Sequence, residues 1–134
     1  MKDCIFCKIV KGELPSRKIY EDKDIVAFFP KDPEAKAHTL VIPKKHYENI
    51  FDISETDLKK LIIVVKNLSE SIKIKLSAEG VNILNASGKI AQQSVPHFHI
   101  HIIPRFNGDG IDAWMKQNNV GPFDLDGLQK KISK

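Results

Sequence analysis

Between Gln92 and Pro104 the chain reads Gln-Gln-Ser-Val-Pro-His-Phe-His-Ile-His-Ile-Ile-Pro, so His97, His99 and His101 alternate strictly with apolar residues. On an extended strand successive side chains point to opposite faces. The three imidazoles would then share one face, about 7 Å apart, with Phe98, Ile100 and Ile102 turned to the core. A single strand histidine is usually bland. Three on one face make a costly arrangement to keep for packing alone, and perturbed titratable groups gathered in this way point to a functional site. Two chemistries suit it. Histidines two apart on a strand can hold zinc. Alternatively, imidazole is partly neutral near pH 7 and can attack phosphorus without a strong base, while a protonated neighbour stabilises phosphoryl oxygens or protonates a leaving group.

The two cysteines, Cys4 and Cys7, form a second candidate group. Their loop is too short for a useful disulfide staple. A redox Cys-x-x-Cys would follow a strand, and only three residues precede Cys4. With no second cysteine pair a zinc ribbon is excluded, so histidines would have to complete any tetrahedral zinc set.

The elements that must position these residues are legible in outline. The chain has 134 residues, 42% of them apolar, which suits one domain with a real core. Residues 1–14 read as a short irregular or helical start. Arg17–Glu21 and Asp24–Phe29 read as strands joined by the turn Asp22-Lys23, and His38–Pro43 as a third strand. Pro30 and Pro33 keep the intervening segment in a loop. Ser54 opens one long helix, with Ser54 and Asp57 in a capping-box pattern and Leu58, Leu61, Ile62, Val65, Leu68 and Ile72 as its apolar face. Ile63 and Val64 fall off that stripe, and would meet either a dimer partner or deeper core. A strand over Val81–Asn85, a polar loop over Ala86–Val95 and a strand over His97–Ile103, stopped by Pro104, follow. Residues 107–134 read as loop with some terminal helix. Strands, then a helix, then strands, with short early connections, make an α+β domain with a mainly antiparallel sheet.

Bulk properties narrow the partners. The longest apolar runs, 25–29 and 61–65, are far short of a membrane span, and no signal peptide can be read around Lys2, Asp3, Lys8 and Lys11, so a cytoplasmic protein is expected. A net charge of +4 and a pI near 9.0 suit an anionic partner. The basic residues are dispersed, with no dense Lys/Arg arm, which makes nucleic acid an unlikely partner.

The residues also carry a family resemblance. His97-Phe98-His99-Ile100-His101-Ile102-Ile103 resembles the histidine-triad (HIT) signature, His-φ-His-φ-His-φ-φ with φ apolar. Cys4 to Val10 resembles that family's start, His38 to His46 its central strand, and Gln93-Ser94-Val95-Pro96 its phosphate loop. The likeness spans about residues 4–106, within a single domain of 1–134. It implies a five-stranded antiparallel sheet with one long helix and a short N-terminal helix, usually in a homodimer. It implies a purine nucleotide substrate attacked at its α-phosphate by His99, through a nucleotidyl-histidine that water then hydrolyses, and no catalytic metal. His101 would bind phosphoryl oxygens, His38 would complete the site, and Gln93 and Ser94 would contact the phosphate or the leaving group, with Ser94 a proton route to a departing amine. Asn85, Ser87, His97 and Asp32 join the candidate substrate contacts. Some members hold a structural zinc through positions that map here onto Cys4, Cys7, His46 and His97. All five histidines of the chain, at 38, 46, 97, 99 and 101, thus fall where such proteins use them.

Departures from the family pattern bear on substrate preference. Pro30-Lys31 stands where many members carry Asp-Ile, so Asp32 would hold the ribose only through a rearranged loop. Ala86 replaces a usual asparagine and Gln92 a usual glycine. A nucleoside phosphoramidase-like hydrolase is the leading expectation. The alternatives are a dinucleoside polyphosphate hydrolase, a nucleotide-sensing or protein-interaction module with weak turnover, and a metal-dependent hydrolase using the triad as ligands, which lacks an evident carboxylate partner.

Overall fold

The computed structural model describes residues 3–116 and 121–134. Lys2 and residues 117–120, which fall in the charged start and the tail read above, lie outside the described residues. Helix α1 (Ile5–Val10) is followed by strands β1 (Arg17–Glu21), β2 (Ile25–Phe29) and β3 (Thr39–Pro43), then the long helix α2 (Glu55–Leu76) and strand β4 (Gly80–Leu84). A 3-10 turn at Lys89–Ala91, strand β5 (Ile100–Arg105) and helix α3 (Leu125–Ile132) complete the order. The strands form one antiparallel sheet in the order β1-β2-β3-β5-β4. The expected α+β architecture, with its five strands, long helix and short N-terminal helix, is what the chain adopts.

Local chemistry explains the elements. Asp22 Oδ1 accepts from the N–H groups of Asp24 and Ile25, both at 2.7 Å, which closes the β1–β2 turn. Ser54 caps α2 by accepting from Asp57 N–H at 3.1 Å. The expected return bond is not made; the Asp57 carboxylate accepts from the Tyr47 hydroxyl at 2.6 Å. The buried stripe of α2 is Leu61, Val64, Val65 and Ile72, with Leu58 and Leu68 packed against it. This corrects the predicted face at Ile62, which is exposed; of the two residues off the stripe, Val64 joins the core and Ile63 is exposed.

The sheet is covered on both sides. Ile25, Ala27, Val41, Ile100 and Ile102 pack under α2, while Val26, Phe28, Leu40 and Ile42 pack with Phe6 and Ile9 of α1. Strands buried on both faces read as continuous apolar runs, as Ile25–Phe29 does. His101 pairs directly with Leu40 across β3 and β5, and so stands on the α1 side of the sheet. Among the described residues, no helix is long and apolar enough to cross a membrane.

Candidate active site and metal cluster

β5 starts at Ile100, three residues later than the alternation suggests. The reason lies in the backbone: His97 N–H bonds Val95 C=O at 2.8 Å, and Phe98 N–H bonds Tyr47 C=O at 2.7 Å, so this stretch is tied to loops and not to a neighbouring strand. Phe98, Ile100 and Ile102 do enter the core as expected. Pro104 lies inside β5 and does not stop it; it falls past Ile102, the last β5 residue paired with β3, where a missing N–H is tolerated. The bend divides the triad. His99 and His101 stand together, ring centroids 4.9 Å apart, and His38, the residue before β3, stacks on His101 at 5.1 Å. His97 turns towards the cysteines instead.

Hydrogen bonds determine which ring nitrogens carry protons. His99 Nδ1 lies 2.7 Å from the carbonyl of His97. A carbonyl only accepts, so Nδ1 is the N–H, and in the neutral ring Nε2 keeps its lone pair. The backbone N–H of Glu34 donates to His38 Nδ1 at 3.2 Å, so neutral His38 carries its proton on Nε2. That proton points at His101 Nδ1, 2.9 Å away, leaving His101 with an Nε2–H. One ring therefore presents a nucleophilic lone pair and its neighbour a hydrogen-bond donor.

Burial keeps these rings neutral. His99 is pushed below the usual imidazole range by desolvation, against the opposing pull of its bond to His97. His101 is pushed down to about 4 by desolvation, with the charges of His99 and His38 adding to it. His38 is lowered by burial, in part offset by Glu34. Phe6 of α1 stands edge-on to His99 at 5.3 Å and to His97 at 5.9 Å. The spacing of the histidines does not point to Phe6; its place between the two cysteines, on a helix that must cover the sheet, is the signal for it.

The ligand atoms of Cys4, Cys7, His46 and His97 all lie within 4.8 Å of one another. His97 Nδ1 is 3.4 Å from Cys4 Sγ, 3.5 Å from Cys7 Sγ and 3.2 Å from His46 Nδ1, and Cys7 Sγ is 3.3 Å from His46 Nδ1. Bonds to zinc of the usual length put tetrahedral ligand atoms roughly 3.3–3.8 Å apart, so the cluster fits a four-coordinate ion. The tautomer fits as well. His97 Nε2–H donates to Pro43 C=O at 2.8 Å, which frees Nδ1 to ligate and supplies the outer hydrogen bond that orients a ligating histidine. Both His97 nitrogens are thereby committed away from His99 and His101. Burial, then the hydrogen bond with Cys4, pushes the Cys7 thiol up to about 11, so its thiolate needs a cation beside it.

The other candidate contacts separate into two groups. Ser94 is exposed and lines an open hollow with Glu48, Val95 and Pro96, beside the cluster. Asp32 is exposed in the β2–β3 loop. Gln93, Asn85 and Ser87 are instead engaged with the protein. Gln93 Oε1 accepts from Gly88 N–H at 2.8 Å, and its amide hydrogens go to Glu48 C=O at 2.6 Å and Val95 C=O at 3.0 Å. An amide has two hydrogens to give, so Gln93 clamps three loop segments and has no donor left over. Asn85 Nδ2 bonds His99 C=O at 2.9 Å, and Ser87 bonds Asn85 and the backbone of Ile50.

The HIT domain model matches residues 11–108. The chain belongs to the HIT domain family. This HIT chain is 36% identical over 131 residues to an adenosine 5′-monophosphoramidase of Schizosaccharomyces pombe, a match covering 97% of this chain and 96% of the relative. It is 40% identical to a HIT family protein from Bacillus subtilis whose crystal structure superimposes with a TM-score of 0.86, over 97% of this chain and 94% of that one. A zinc-bound histidine triad family protein from Mycobacterium smegmatis is 34% identical, with a TM-score of 0.80 over 87% and 85% of the two chains. The fold and the histidine triad of this HIT chain are therefore those of its family.

Proposed function

We propose that the chain is a nucleotide hydrolase of the phosphoramidase type, which attacks the α-phosphate of a purine nucleotide conjugate through His99. One observation carries the reading: the bond from His99 Nδ1–H to His97 C=O fixes the tautomer whose Nε2 lone pair is free. Nε2 bonds to phosphorus as the bond to the leaving amine breaks, and the amine takes a proton through Ser94. His101 Nε2–H, oriented by His38, donates to a phosphoryl oxygen as charge builds there. Water then cleaves the P–Nε2 bond, giving the nucleoside monophosphate, and the proton it sheds restores the group that protonated the amine. The kinship with a named adenosine 5′-monophosphoramidase supports this substrate class.

The Cys4, Cys7, His46 and His97 cluster holds a structural zinc in this reading, supported by its ligand spacing and by the zinc-bound relative. An ion there would tie α1 to the sheet. In this reading the protein is cytoplasmic and works as a homodimer, and the exposed Ile62 and Ile63 of α2 offer an apolar surface for the pairing.

The test is AMP release from adenosine 5′-phosphoramidate by wild type and His99→Ala in parallel. Wild type releases AMP and the variant loses roughly 10³-fold or more. Equal rates would mean another nucleophile, and a folded wild type that releases nothing would reject the substrate class.

A further inference from the structure

The ladder between β4 and β5 ends at the pair Leu84 and His101. Beyond it, the carbonyl of His99 has no strand partner on that side, although His99 is the residue whose ring must be held still. Asn85, the next residue after β4, fills the gap with its side chain: Nδ2–H donates to His99 C=O at 2.9 Å, so a side-chain amide continues the ladder by one step. Ser87 sets which way that amide faces. The backbone N–H of Ile50 donates to Ser87 Oγ at 3.0 Å, so the hydroxyl accepts there and turns its own proton to Asn85 Oδ1 at 3.1 Å. With Oδ1 engaged on that side, the amide N–H₂ can only face His99.

We infer that Asn85 and Ser87 form a brace that positions the nucleophile, and that Asn85 serves His99 and not the substrate. This rests on the reading of His99 as the nucleophile. The ring of His99 is anchored at Nδ1 by the preceding bend, and the brace anchors its peptide on the other side. Together they fix where Nε2 points. An error of an ångström at an attacking atom costs far more in rate than in binding. The brace also ties His99 to the 48–52 loop through Ile50, so a disturbance of that loop reaches the nucleophile.

The test is steady-state kinetics on adenosine 5′-phosphoramidate, with AMP affinity by calorimetry, for wild type, Asn85→Asp, Asn85→Ala, Ser87→Ala and Ser87→Thr. Asn85→Asp keeps the size and loses the donor. Loss of one partly exposed hydrogen bond predicts a kcat lowered roughly three- to tenfold, with KM and AMP affinity within about twofold. Ser87→Ala shows a smaller loss of the same kind, which Ser87→Thr recovers by restoring the oxygen. In proton NMR, the His99 Nδ1–H signal exchanges faster in Asn85→Ala than in wild type, a readout independent of turnover. KM or AMP affinity that weakens at unchanged kcat would make Asn85 a substrate contact and overturn the brace. Unchanged kcat and unchanged ring N–H exchange would overturn it too. Turnover that survives His99→Ala would overturn the nucleophile assignment and the brace with it, which separates the two failures.

Discussion

Gln92 adopts φ 69° and ψ 29°, a left-handed conformation in which a side chain is strained, at the position where the family pattern has glycine. The strain is local to the loop before Gln93. Gln92→Gly is therefore expected to raise stability by about 1 kcal/mol in urea melts, the size of the left-handed penalty; a loss of stability would mean that the Gln92 side chain makes a contact worth more. The histidines yield a second prediction at this scale. Burial holds His101 down at about 4, below its ordinary 6.5, so the unfolded chain binds the proton more readily. Its contribution to stability is complete above pH 6.5 and is lost as pH falls from there towards 4. His101→Gln has no such group, so its urea midpoint relative to wild type should improve between pH 7.5 and pH 5. Any acid release of a metal affects both proteins and cancels. Parallel changes in the two midpoints would contradict a neutral, desolvated His101.

Among the elements, α1 is the one that depends on chemistry beyond its own length. Six residues are too few for a helix to persist alone, and this one is held by Phe6 and Ile9 against the sheet and by Cys4 and Cys7 at the cluster. A strong chelator, or Cys7→Ser, is expected to lower the melting temperature more than it lowers catalysis; equal stability with and without chelator would refute a structural ion. The long helix depends instead on burial. Leu61→Ala, at a fully buried site, should cost about 2–5 kcal/mol without altering KM. How legible these elements were follows from what each signal encodes. Alternation shows which face a side chain takes, and Phe98, Ile100 and Ile102 obeyed it. It says nothing about ladder partners, so it extends the strand back to His97, although the backbone at His97 and Phe98 bonds Val95 and Tyr47. Helical spacing locates α2 but puts Ile62 on the buried face and leaves Val64 off it, because five consecutive apolar residues, Leu61 to Val65, blur the stripe.

At the scale of the whole molecule the site is a product of long-range folding. His101 meets His38 from 63 residues away, and His97 meets Cys4 from 93. Neither meeting can be derived from local pattern; the family resemblance implies both. The sheet order β2-β3-β5 accounts for the first by placing the His38 end of β3 beside β5, and the packing of α1 on the sheet brings Cys4 to His97. The resemblance could not show that Gln93, Asn85 and Ser87 use their polar atoms on the protein itself, since a motif records residue types and not hydrogen-bond partners. The central claim is covalent: His99 carries the nucleotide between two steps. The most direct measurement is an acid- and base-controlled quench of wild-type protein during turnover of adenosine 5′-phosphoramidate, followed by peptide mass spectrometry. An adenylyl group is expected on His99, labile to acid as a phosphoramidate should be and missing from His99→Ala. An adenylyl group on another residue would contradict it, as would rapid turnover in which no covalent adduct forms under conditions that trap one.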